Sequence, residues 1–333
     1  MRVVVITAEG DTSVLAVQER SAPVCGPGQV RISVRAAGVN FADVMARMGL
    51  YPDAPPLPAV VGYEVAGLIA EVGAGVEALA VGDRVTAGCR FGGYAEEVVV
   101  AAGDCIALPE DLSFAEGAAI PVNYATAWAG LLGFGSLRAG ERVLIHAAAG
   151  GVGIAATQIA KDAGAHVTGT ASASKHDAVR ANGADDVLDY NVKGWEKNAG
   201  SFDLIMDAIG GTSLRRSYGL LRAGGRLVAF GAASLVEGEK KNLLKAAPKA
   251  LPMIRGFNLI DQMSSSKAVI GLNLLTLWDD RGTLEPWMTP LCELLDRGVI
   301  KPVIAAEVPF AEAAEAHRML SERRNVGKVV LVP

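Results

Sequence analysis

The chain has 333 residues, of which 51% are hydrophobic and 20% are charged, a balance that excludes a disordered protein. Its net charge of −5 provides no general attraction to nucleic acid or to an anionic membrane surface. No apolar run approaches the ~20 residues that a membrane-spanning helix needs, and a chain of this length predicts two domains.

The cysteines lie far apart in the sequence and form no C-x-x-C pair; they are Cys25, Cys89, Cys105 and Cys292. This spacing predicts neither a zinc lobe nor a disulfide framework. Residues 1–5 have the pattern of a strand and lack that of a signal peptide. We therefore expect scattered free thiols and a cytoplasmic location.

Residues 1–122 have the pattern of a β-rich domain, with short apolar runs separated by glycine and proline. The predicted strands are 2–7, 14–19, 29–37, 63–72, 84–87, 93–100 and 105–108. A helix is predicted over 40–48, and the proline-rich residues 51–58 are predicted to form an ordered loop. This pattern is typical of a small barrel-like domain.

After Ser113 the pattern changes to helices alternating with strands. Helices are predicted over 114–120 and 125–132, with a break at Pro121. There follow strand 142–146, helix 151–163, strand 166–170, helix 175–181, strand 186–189, strand 203–207, helix 213–220 and strand 226–230. This order predicts a doubly wound parallel sheet with right-handed crossovers.

The last part of the chain is predicted to return to the first domain. Residues 237–266 are irregular but unusually apolar, so we expect them to be buried against a cleft or a partner subunit. A strand at 268–273, a helix at 284–297 and a final strand, helix and strand at 303–308, 311–321 and 328–332 complete the prediction. The predicted domains are residues 1–122 with 296–333, and residues 123–295.

Residues 143–156 (VLIHAAAGGVGIAA) run from an apolar strand through a small-residue turn into a helix. Ala147, Gly150 and Gly153 form A-x-x-G-x-x-G, in which alanine replaces the first glycine of the common dinucleotide fingerprint. Small residues let the backbone approach a pyrophosphate, and the helix N-terminus offers free N–H groups. The stretch predicts a dinucleotide site; a tight strand-to-helix turn without a ligand is the alternative.

The residues after the next strand favour a phosphorylated cofactor. Residues 167–172 contain no Asp or Glu to hold a ribose 2′-hydroxyl, as an NAD site usually does. Ser172 and Lys175 instead offer a hydroxyl and a cation suited to a 2′-phosphate. We therefore predict NADPH rather than NADH, with a solvated first-turn lysine as the alternative for Lys175.

An ordered set of motifs covers nearly the whole chain: GVNFAD at 38–43, RMGLYP at 47–52, GYEVAG at 62–67, VGDRV at 81–85, HAAAGGVG at 146–153 and NVGKVVL at 325–331. With them the chain resembles the medium-chain dehydrogenase/reductase superfamily, and within it the zinc-independent quinone oxidoreductases. Residues 169–176 (GTASASKH) and 240–243 (KKNL) resemble most the vesicle amine transport protein branch. The resemblance implies an α/β fold, with a doubly wound Rossmann domain and a β-rich, GroES-like, partly open barrel.

The resemblance also implies a set of cofactor-binding residues. Lys175 and Tyr190 match positions that contact the adenosine phosphate in the family. Positions near the nicotinamide match Thr126, Phe230, Gly231 and Asn325, although Thr126 has the alternative of bonding its own helix backbone. The full predicted set is Thr126, Ala147, Gly150, Gly151, Val152, Gly153, Ser172, Lys175, Tyr190, Phe230, Gly231 and Asn325.

Zinc-dependent members of the superfamily carry metal ligands that this sequence replaces. They have a cysteine near position 38, a histidine at 63 and a four-cysteine lobe after about residue 90, where this chain has Gly38, Tyr63 and a short turn at 88–95. Glu64 alone cannot hold zinc, which needs three or four protein ligands. We predict no metal, and we expect His146 to be a hydrogen-bonded residue at the end of a strand.

Without a metal to polarise a simple ketone, the predicted substrates are quinones and other conjugated carbonyls, whose reduced anions are stabilised by hydrogen bonds. Asn40 and Tyr51 are the predicted catalytic donors; a loop cap and a packing ring are the alternatives. Asp43 and Arg47 are spaced for a salt bridge on a helix. Met45 stands where the bacterial quinone reductases of the family carry a second tyrosine.

Three functions remain open. The first is an NADPH-dependent quinone reductase, and the second is an enoyl-type reductase of α,β-unsaturated ketones, aldehydes or thioesters. The third is a non-catalytic NADPH-binding interaction protein, for which the lysines within 240–249 are the candidate membrane contact, although a solvated basic face is favoured. We expect a small-molecule substrate, no nucleic acid, no stable membrane insertion and a homodimer paired through the edge strand at 268–273.

Overall fold

The computed structural model describes residues 1–236, 238, 243–254 and 257–333, without the side chains of 243–246, 252 and 254. Residues 240–242 of the KKNL motif, and part of the irregular stretch 237–266, therefore lie outside the described residues. The described strands are β1 (Arg2–Ile6), β2 (Leu15–Glu19), β3 (Gln29–Val39), β4 (Glu64–Val72), β5 (Arg84–Gly88), β6 (Glu97–Ala101), β7 (Cys105–Ala107), β8 (Arg142–Ile145), β9 (His166–Ala171), β10 (Asp186–Asp189), β11 (Phe202–Asp207), β12 (Leu221–Ala229), β13 (Ala268–Gly271), β14 (Ile304–Pro309) and β15 (Lys328–Val332).

The described α-helices connect and cover these strands. They are α1 (Phe41–Arg47), α2 (Phe114–Gly117), α3 (Pro121–Trp128), α4 (Gly151–Asp162), α5 (His176–Ala181), α6 (Thr212–Leu220), α7 (Leu243–Ile254), α8 (Leu259–Ser265), α9 (Leu274–Arg281), α10 (Glu285–Asp296) and α11 (Ala313–Ser321). Within the described ranges, none of them has the length and apolarity needed to cross a membrane.

The second half of the chain forms the predicted parallel sheet. Six strands follow the order β10-β9-β8-β11-β12-β13, and each neighbouring pair is parallel. The chain therefore winds outward from β8 in one direction and from β11 in the other, which defines a switch point between these two strands. Open α/β sheets bind ligands at the carboxyl ends of the strands at such a point, and the glycine turn directly follows β8.

The first half forms a second, mainly antiparallel sheet in the order β14-β15-β3-β4-β5-β7, with β6 also paired to β3. Strands β14 and β15, from the end of the chain, pair in parallel and join this sheet through β3. The predicted return of the C-terminus is thereby confirmed, as is the fold class. Strands β1 and β2 form a separate hairpin.

Helix α3 lies between the two sheets and connects their cores. Its buried Tyr124 and Ala125 belong to a hydrophobic cluster that also contains Ala66 of β4 and Ile145 of β8. The core is therefore continuous between the two sheets, which holds the space between them in a defined shape. The division into two domains, 1–122 with 296–333 and 123–295, stays a proposal.

Three local predictions need correction. The helix predicted at 125–132 begins at Pro121, because proline lacks only an N–H that is unpaired anyway in the first turn of a helix. Helices α7 and α8 lie within the stretch that is predicted to be irregular. Helix α9 is also not among the predicted elements. It begins after Asn273, whose side chain accepts a hydrogen bond from the Leu275 N–H at 3.0 Å.

Candidate active site

A large cleft with a volume of about 1390 Å³ lies between the two sheets. Typical sites for single small ligands have volumes of roughly 300–1,000 Å³, so this cleft has room for a dinucleotide and a substrate together. All the predicted site residues line it: Asn40, Tyr51, Thr126, Ala147, Gly150, Gly151, Val152, Gly153, Ser172, Lys175, Tyr190, Phe230, Gly231 and Asn325. The fold therefore brings together residues that are far apart in sequence, while their individual roles remain proposals.

The glycine turn has the geometry of a phosphate cradle. Ala147 has a φ of 54°, the left-handed conformation that favours glycine and costs a residue with a Cβ roughly 1–2 kcal/mol. Gly150 directly precedes α4, and a Cβ added to it would meet only the Ala147 carbonyl oxygen, at 3.3 Å. The turn thus presents open space at a helix N-terminus, and it fits a pyrophosphate group.

Lys175 is fixed at the other end of this cradle. Its Nζ donates to the carbonyl oxygens of Arg323 at 2.7 Å and Asn325 at 2.6 Å. The alternative interpretation, a solvated lysine in the first turn of a helix, therefore does not hold. Burial lowers the pKa of Lys175, and the nearby charge of Arg323 lowers it further. Because an ammonium has three N–H donors, one remains for an anion. Ser172 and the half-exposed Tyr190 line the same end of the cleft.

The predicted nicotinamide end lies where α3, β12 and the C-terminal segment meet. Thr126 of α3 is almost buried and lines the cleft. A Cβ on Gly231 would lie 2.6 Å from the Ala208 carbonyl oxygen, so only glycine allows the chain to pass this close to the end of β11. Asn325 donates from Nδ2 to the Gly327 carbonyl oxygen at 2.7 Å, which shapes the turn before β15.

Asn40, the first predicted catalytic donor, occupies the N-cap position before α1. Its side chain is held by two charged groups: Nδ2 donates to Glu64 Oε1 at 3.0 Å, and Oδ1 accepts from Lys328 Nζ at 2.6 Å. Asn40 therefore occupies a cap position, which is its alternative role, and its amide is also held in a fixed orientation at the cleft wall.

Tyr51, the second predicted donor, lies on the proline-rich loop with its ring edge-on to Tyr63, at a centroid distance of 6.4 Å. Burial raises the pKa of Tyr51 to about 12, so its phenol stays protonated and able to donate at neutral pH. Among the described residues the hydroxyl of Tyr63 is buried without a well-formed hydrogen bond. The packing ring and the donor are thus compatible roles for Tyr51.

Asp43 holds the backbone of Asn40 in place. The Asp43–Arg47 salt bridge that the spacing predicts needs correction. The Asp43 carboxylate accepts from the N–H groups of Asn40 at 2.8 Å and Gly62 at 3.1 Å and from the Tyr94 hydroxyl at 2.9 Å. Burial raises the pKa of Asp43 to about 7, although each of these donors opposes the rise. Arg47 Nη1 donates instead to the Gly10 carbonyl oxygen at 2.7 Å.

His146 is a hydrogen-bonded residue just past the end of β8, as predicted. Its Nδ1 and Nε2 lie 3.0 Å from Thr170 Oγ1 and Ser217 Oγ, and Ser217 in turn donates to Asp207 at 2.8 Å. Burial lowers the pKa of His146, which therefore stays neutral at physiological pH.

Three features of the cleft are not among the predicted site residues. Lys328 contacts Asn40, Arg323 lies beside Lys175, and α9 contributes Leu275 and Trp278 to the wall. A signal for α9 is present in the sequence, since a capping asparagine at 273 and a glycine at 282 enclose an apolar segment. Lys328 lies within the NVGKVVL motif, but neither cation has a local signal for its contact, because both contact distant parts of the chain.

Two family models match this chain. One is described as an alcohol dehydrogenase GroES-like domain and matches residues 26–110; the other is described as a zinc-binding dehydrogenase and matches residues 182–331. The residues present do not fit a zinc ion. Across the part of the chain that the structure describes, no group of three or more His, Cys, Asp or Glu side chains is arranged to hold a metal. The Glu64 carboxylate is engaged by Lys328 and Asn40.

Relatives extend this match over the whole chain. The synaptic vesicle membrane protein VAT-1 homolog of Rattus norvegicus is 39% identical over 341 residues, which cover 100% of this chain and 84% of that protein. The quinone oxidoreductase of Thermus thermophilus, solved also in complex with NADPH, is 33% identical with a TM-score of 0.81 and full coverage (100%) of both chains. The CurK enoyl reductase is 26% identical, with a TM-score of 0.84, and the match covers 99% of this chain and 98% of that one. The chain therefore belongs to the medium-chain dehydrogenase/reductase superfamily and is an oxidoreductase of that type.

Proposed function

We propose that this protein is an NADPH-dependent reductase of a quinone or a related conjugated carbonyl, acting without zinc. The observation that carries the proposal is the single continuous cleft in which the phosphate cradle at 147–153 and the oriented amide of Asn40 share one space. The solved complex of the Thermus thermophilus quinone oxidoreductase with NADPH supports the choice of cofactor.

The proposed cofactor roles follow the geometry of the cleft. The turn around Gly150 and the N-terminus of α4 hold the pyrophosphate, and Lys175 with Ser172 and Tyr190 hold the adenosine phosphate. Thr126, Phe230, Gly231 and Asn325 orient the nicotinamide. When bound, NADPH supplies a hydride from its nicotinamide ring.

Asn40 and Tyr51 act on the substrate oxygen. Each donates a hydrogen bond to the oxygen on which negative charge develops, and such donors are more effective in a site from which water is excluded. Tyr51 remains a donor because burial raises its pKa to about 12. Solvent protonates the product, since no buried acid is required by this arrangement.

The wall around Tyr51 suits a flat, apolar substrate. Asp53 of the Tyr51 loop accepts from Asn273 Nδ2 at 3.1 Å, so the residue that precedes α9 is in direct contact with this loop. The apolar side chains of Met45, Leu275 and Trp278 line the same cleft. They exclude water and contact a conjugated ring or chain by apolar burial.

An enoyl-type reductase is the second candidate, and the similarity to the CurK enoyl reductase favours it. Met45 stands where the bacterial quinone reductases of the family carry a second tyrosine. The site therefore has one hydrogen-bond donor fewer for a quinone, and it suits an enoyl substrate as well as a quinone. The non-catalytic alternative rests on residues 240–249, of which 240–242 lie outside the described residues.

The proposal is tested by NADPH oxidation with 9,10-phenanthrenequinone, benzoquinone, an enone, an enal and an enoyl thioester. Turnover of the quinones above the enone supports the first candidate, and the reverse order supports the second. NADPH binding without turnover of any compound would favour the non-catalytic alternative and overturn the proposal.

The cofactor assignment predicts a change of preference in Lys175→Ala. Loss of a charge-assisted contact of about 1.5–3 kcal/mol should raise the Kd for NADPH by roughly 10- to 100-fold and leave that for NADH nearly unchanged. Fluorescence titration with both cofactors measures this. The control is Lys161→Ala, which removes a surface pair with Asp185 away from the cleft. An unchanged ratio of the two Kd values in Lys175→Ala would refute the assignment.

We keep two further expectations as part of the proposal, a cytoplasmic location and a homodimer. Strand β13 lies at the edge of the six-stranded sheet, where the same strand of a second copy would extend the sheet. Light scattering at micromolar concentration should give twice the chain mass of 34.4 kDa. A monomer under these conditions would contradict the dimer.

A further inference from the structure

Three polar side chains from distant parts of the chain meet at the wall of the cleft. Asn40, Glu64 and Lys328 have exposed fractions of 8%, 0% and 4%. Lys328 Nζ donates to Asn40 Oδ1 at 2.6 Å and forms an ion pair with Glu64 Oε1. The other carboxylate oxygen of Glu64 accepts from the Val122 N–H at 2.8 Å, at the start of α3. Asn40 and Lys328 line the cleft, and Glu64 lies behind them.

This arrangement permits only one orientation of the Asn40 amide. An ammonium has donors alone and an ionised carboxylate has acceptors alone, so Lys328 requires Oδ1 and Glu64 requires Nδ2. A flipped amide would place its NH2 group against the ammonium and its oxygen against the carboxylate. Glu64 receives one of the two Nδ2 hydrogens, and across the described parts of the chain the second has no acceptor. That second hydrogen is available to a substrate oxygen.

Stability alone is a weak reason for burying these charges. Removing two charges from water is costly, and replacing a buried ion pair by neutral groups of similar volume is often neutral or stabilising. The backbone next to Lys328 is held in place, because the preceding residue, Gly327, donates its N–H to the Ala149 carbonyl oxygen in the proposed cofactor turn at 2.8 Å. The lysine is thus anchored by the same turn that forms the phosphate cradle.

We propose that Lys328 and Glu64 are positioning residues that hold the Asn40 amide as a hydrogen-bond donor to the substrate oxygen. The inference rests on the proposed function, in which Asn40 contacts that oxygen. It assigns to Lys328 no proton transfer and no contact with the cofactor.

The test uses the double variant Glu64→Gln/Lys328→Met. It removes both charges together, which avoids leaving an unpaired buried charge. The glutamine side chain introduced by Glu64→Gln keeps its oxygen toward the Val122 N–H and turns its NH2 group toward Asn40, which favours the flipped orientation of the Asn40 amide. We expect kcat for the best substrate of the panel to fall by about 10-fold or more while the Kd for NADPH stays unchanged. Combined with Asn40→Ala, the charge-removing changes should cost nothing beyond the loss seen in Asn40→Ala alone, because groups that act as a unit are not additive. Lys301→Met, at an exposed lysine, is the control.

A second readout needs no substrate. The Asn40 side-chain amide, assigned in ¹H–¹⁵N spectra by its loss in Asn40→Ala, should exchange its hydrogens with solvent faster in the double variant than in the wild type. Wild-type kcat and wild-type exchange in the double variant would overturn the inference, as would losses that multiply with that of Asn40→Ala. If the wild type reduces no compound of the panel, the proposed function fails, while the exchange rates still decide whether Lys328 and Glu64 hold the amide.

Discussion

Gly150→Ala is expected to weaken NADPH binding strongly while costing less stability than Gly153→Ala. The Cβ would lie 3.3 Å from the Ala147 carbonyl oxygen, which must shift by a few tenths of an ångström, and it would meet nothing else within 4 Å. It would, however, occupy the space in which the backbone approaches the pyrophosphate. We expect the Kd for NADPH to rise by at least ~100-fold, a loss of about 2.7 kcal/mol, with a smaller loss of Tm than in Gly153→Ala.

Gly153→Ala provides the opposite pattern. Its Cβ would lie 2.3 Å from the Ala147 carbonyl oxygen and 2.7 Å from the Ala148 Cα, and both are backbone atoms of the turn. Overpacking of this kind costs about 1–3 kcal/mol, so this variant should lose both stability and affinity. Gly219→Ala on α6, where a Cβ meets nothing within 4 Å, is the control for both measurements.

Thermal unfolding and cofactor titration separate these two outcomes. Wild-type affinity for NADPH in Gly150→Ala would mean that the dinucleotide does not lie over this turn. Equal loss of Tm in Gly150→Ala and Gly153→Ala would mean that the turn is structural and has no open face.

Asn40→Ala is expected to reduce kcat by about 10²-fold, the usual effect of losing one donor to a developing oxyanion. Tyr51→Phe should reduce kcat by up to the same factor. Because phenylalanine keeps the edge-on contact with Tyr63, this change removes the donor and retains the packing ring. The Kd for NADPH should stay unchanged in both variants, since neither residue belongs to the proposed cofactor set.

Steady-state kinetics with a saturating quinone or enone measures these effects. Tyr218→Phe is the matched control, because its hydroxyl contacts Ser265 and is remote from the substrate. Wild-type turnover in Asn40→Ala and in Tyr51→Phe would remove both residues from the mechanism. The rate of hydride transfer would then depend on how the cofactor site orients the nicotinamide.

The glycine turn is predictable from sequence because its signals are local. An apolar run, a small-residue turn and a helix follow one another within residues 143–156, and the parallel, doubly wound sheet is predicted by the alternation of strands and helices. Even the replacement of a glycine by Ala147 leaves the turn intact, since alanine tolerates the observed φ of 54° at a modest cost.

The environment of Asn40 is not predictable in the same way. Its partner Lys328 is 288 residues away, and no spacing rule connects a residue of the first domain with the first residue of the last strand. Sequence motifs include all three residues of the cluster, yet they say nothing of which side chains touch. Only the pairing of β15 with β3 brings the lysine to the asparagine.

Helix boundaries also differ between the sequence-based prediction and the structure, although the differences are smaller. Pro121 suggests a break when residues are taken one at a time, but in the folded chain it begins α3. Likewise Lys175 is predictable as a cation near the cofactor, whereas its bonds to the carbonyl oxygens of Arg323 and Asn325 depend on the returning C-terminal segment. The proposed roles of these residues, the zinc-free chemistry and the dimer stay predictions.

The central claim is that the cleft brings NADPH and a conjugated carbonyl into direct contact. It is tested most directly with NADPH carrying deuterium at the transferable C4 position and an enone as the substrate. We expect one deuterium on the β-carbon of the saturated product, detected by mass spectrometry and NMR, and a loss of this product in Gly150→Ala. An enone that is reduced without deuterium at that carbon, or that is not reduced at all alongside quinones that are equally inert, would contradict the claim.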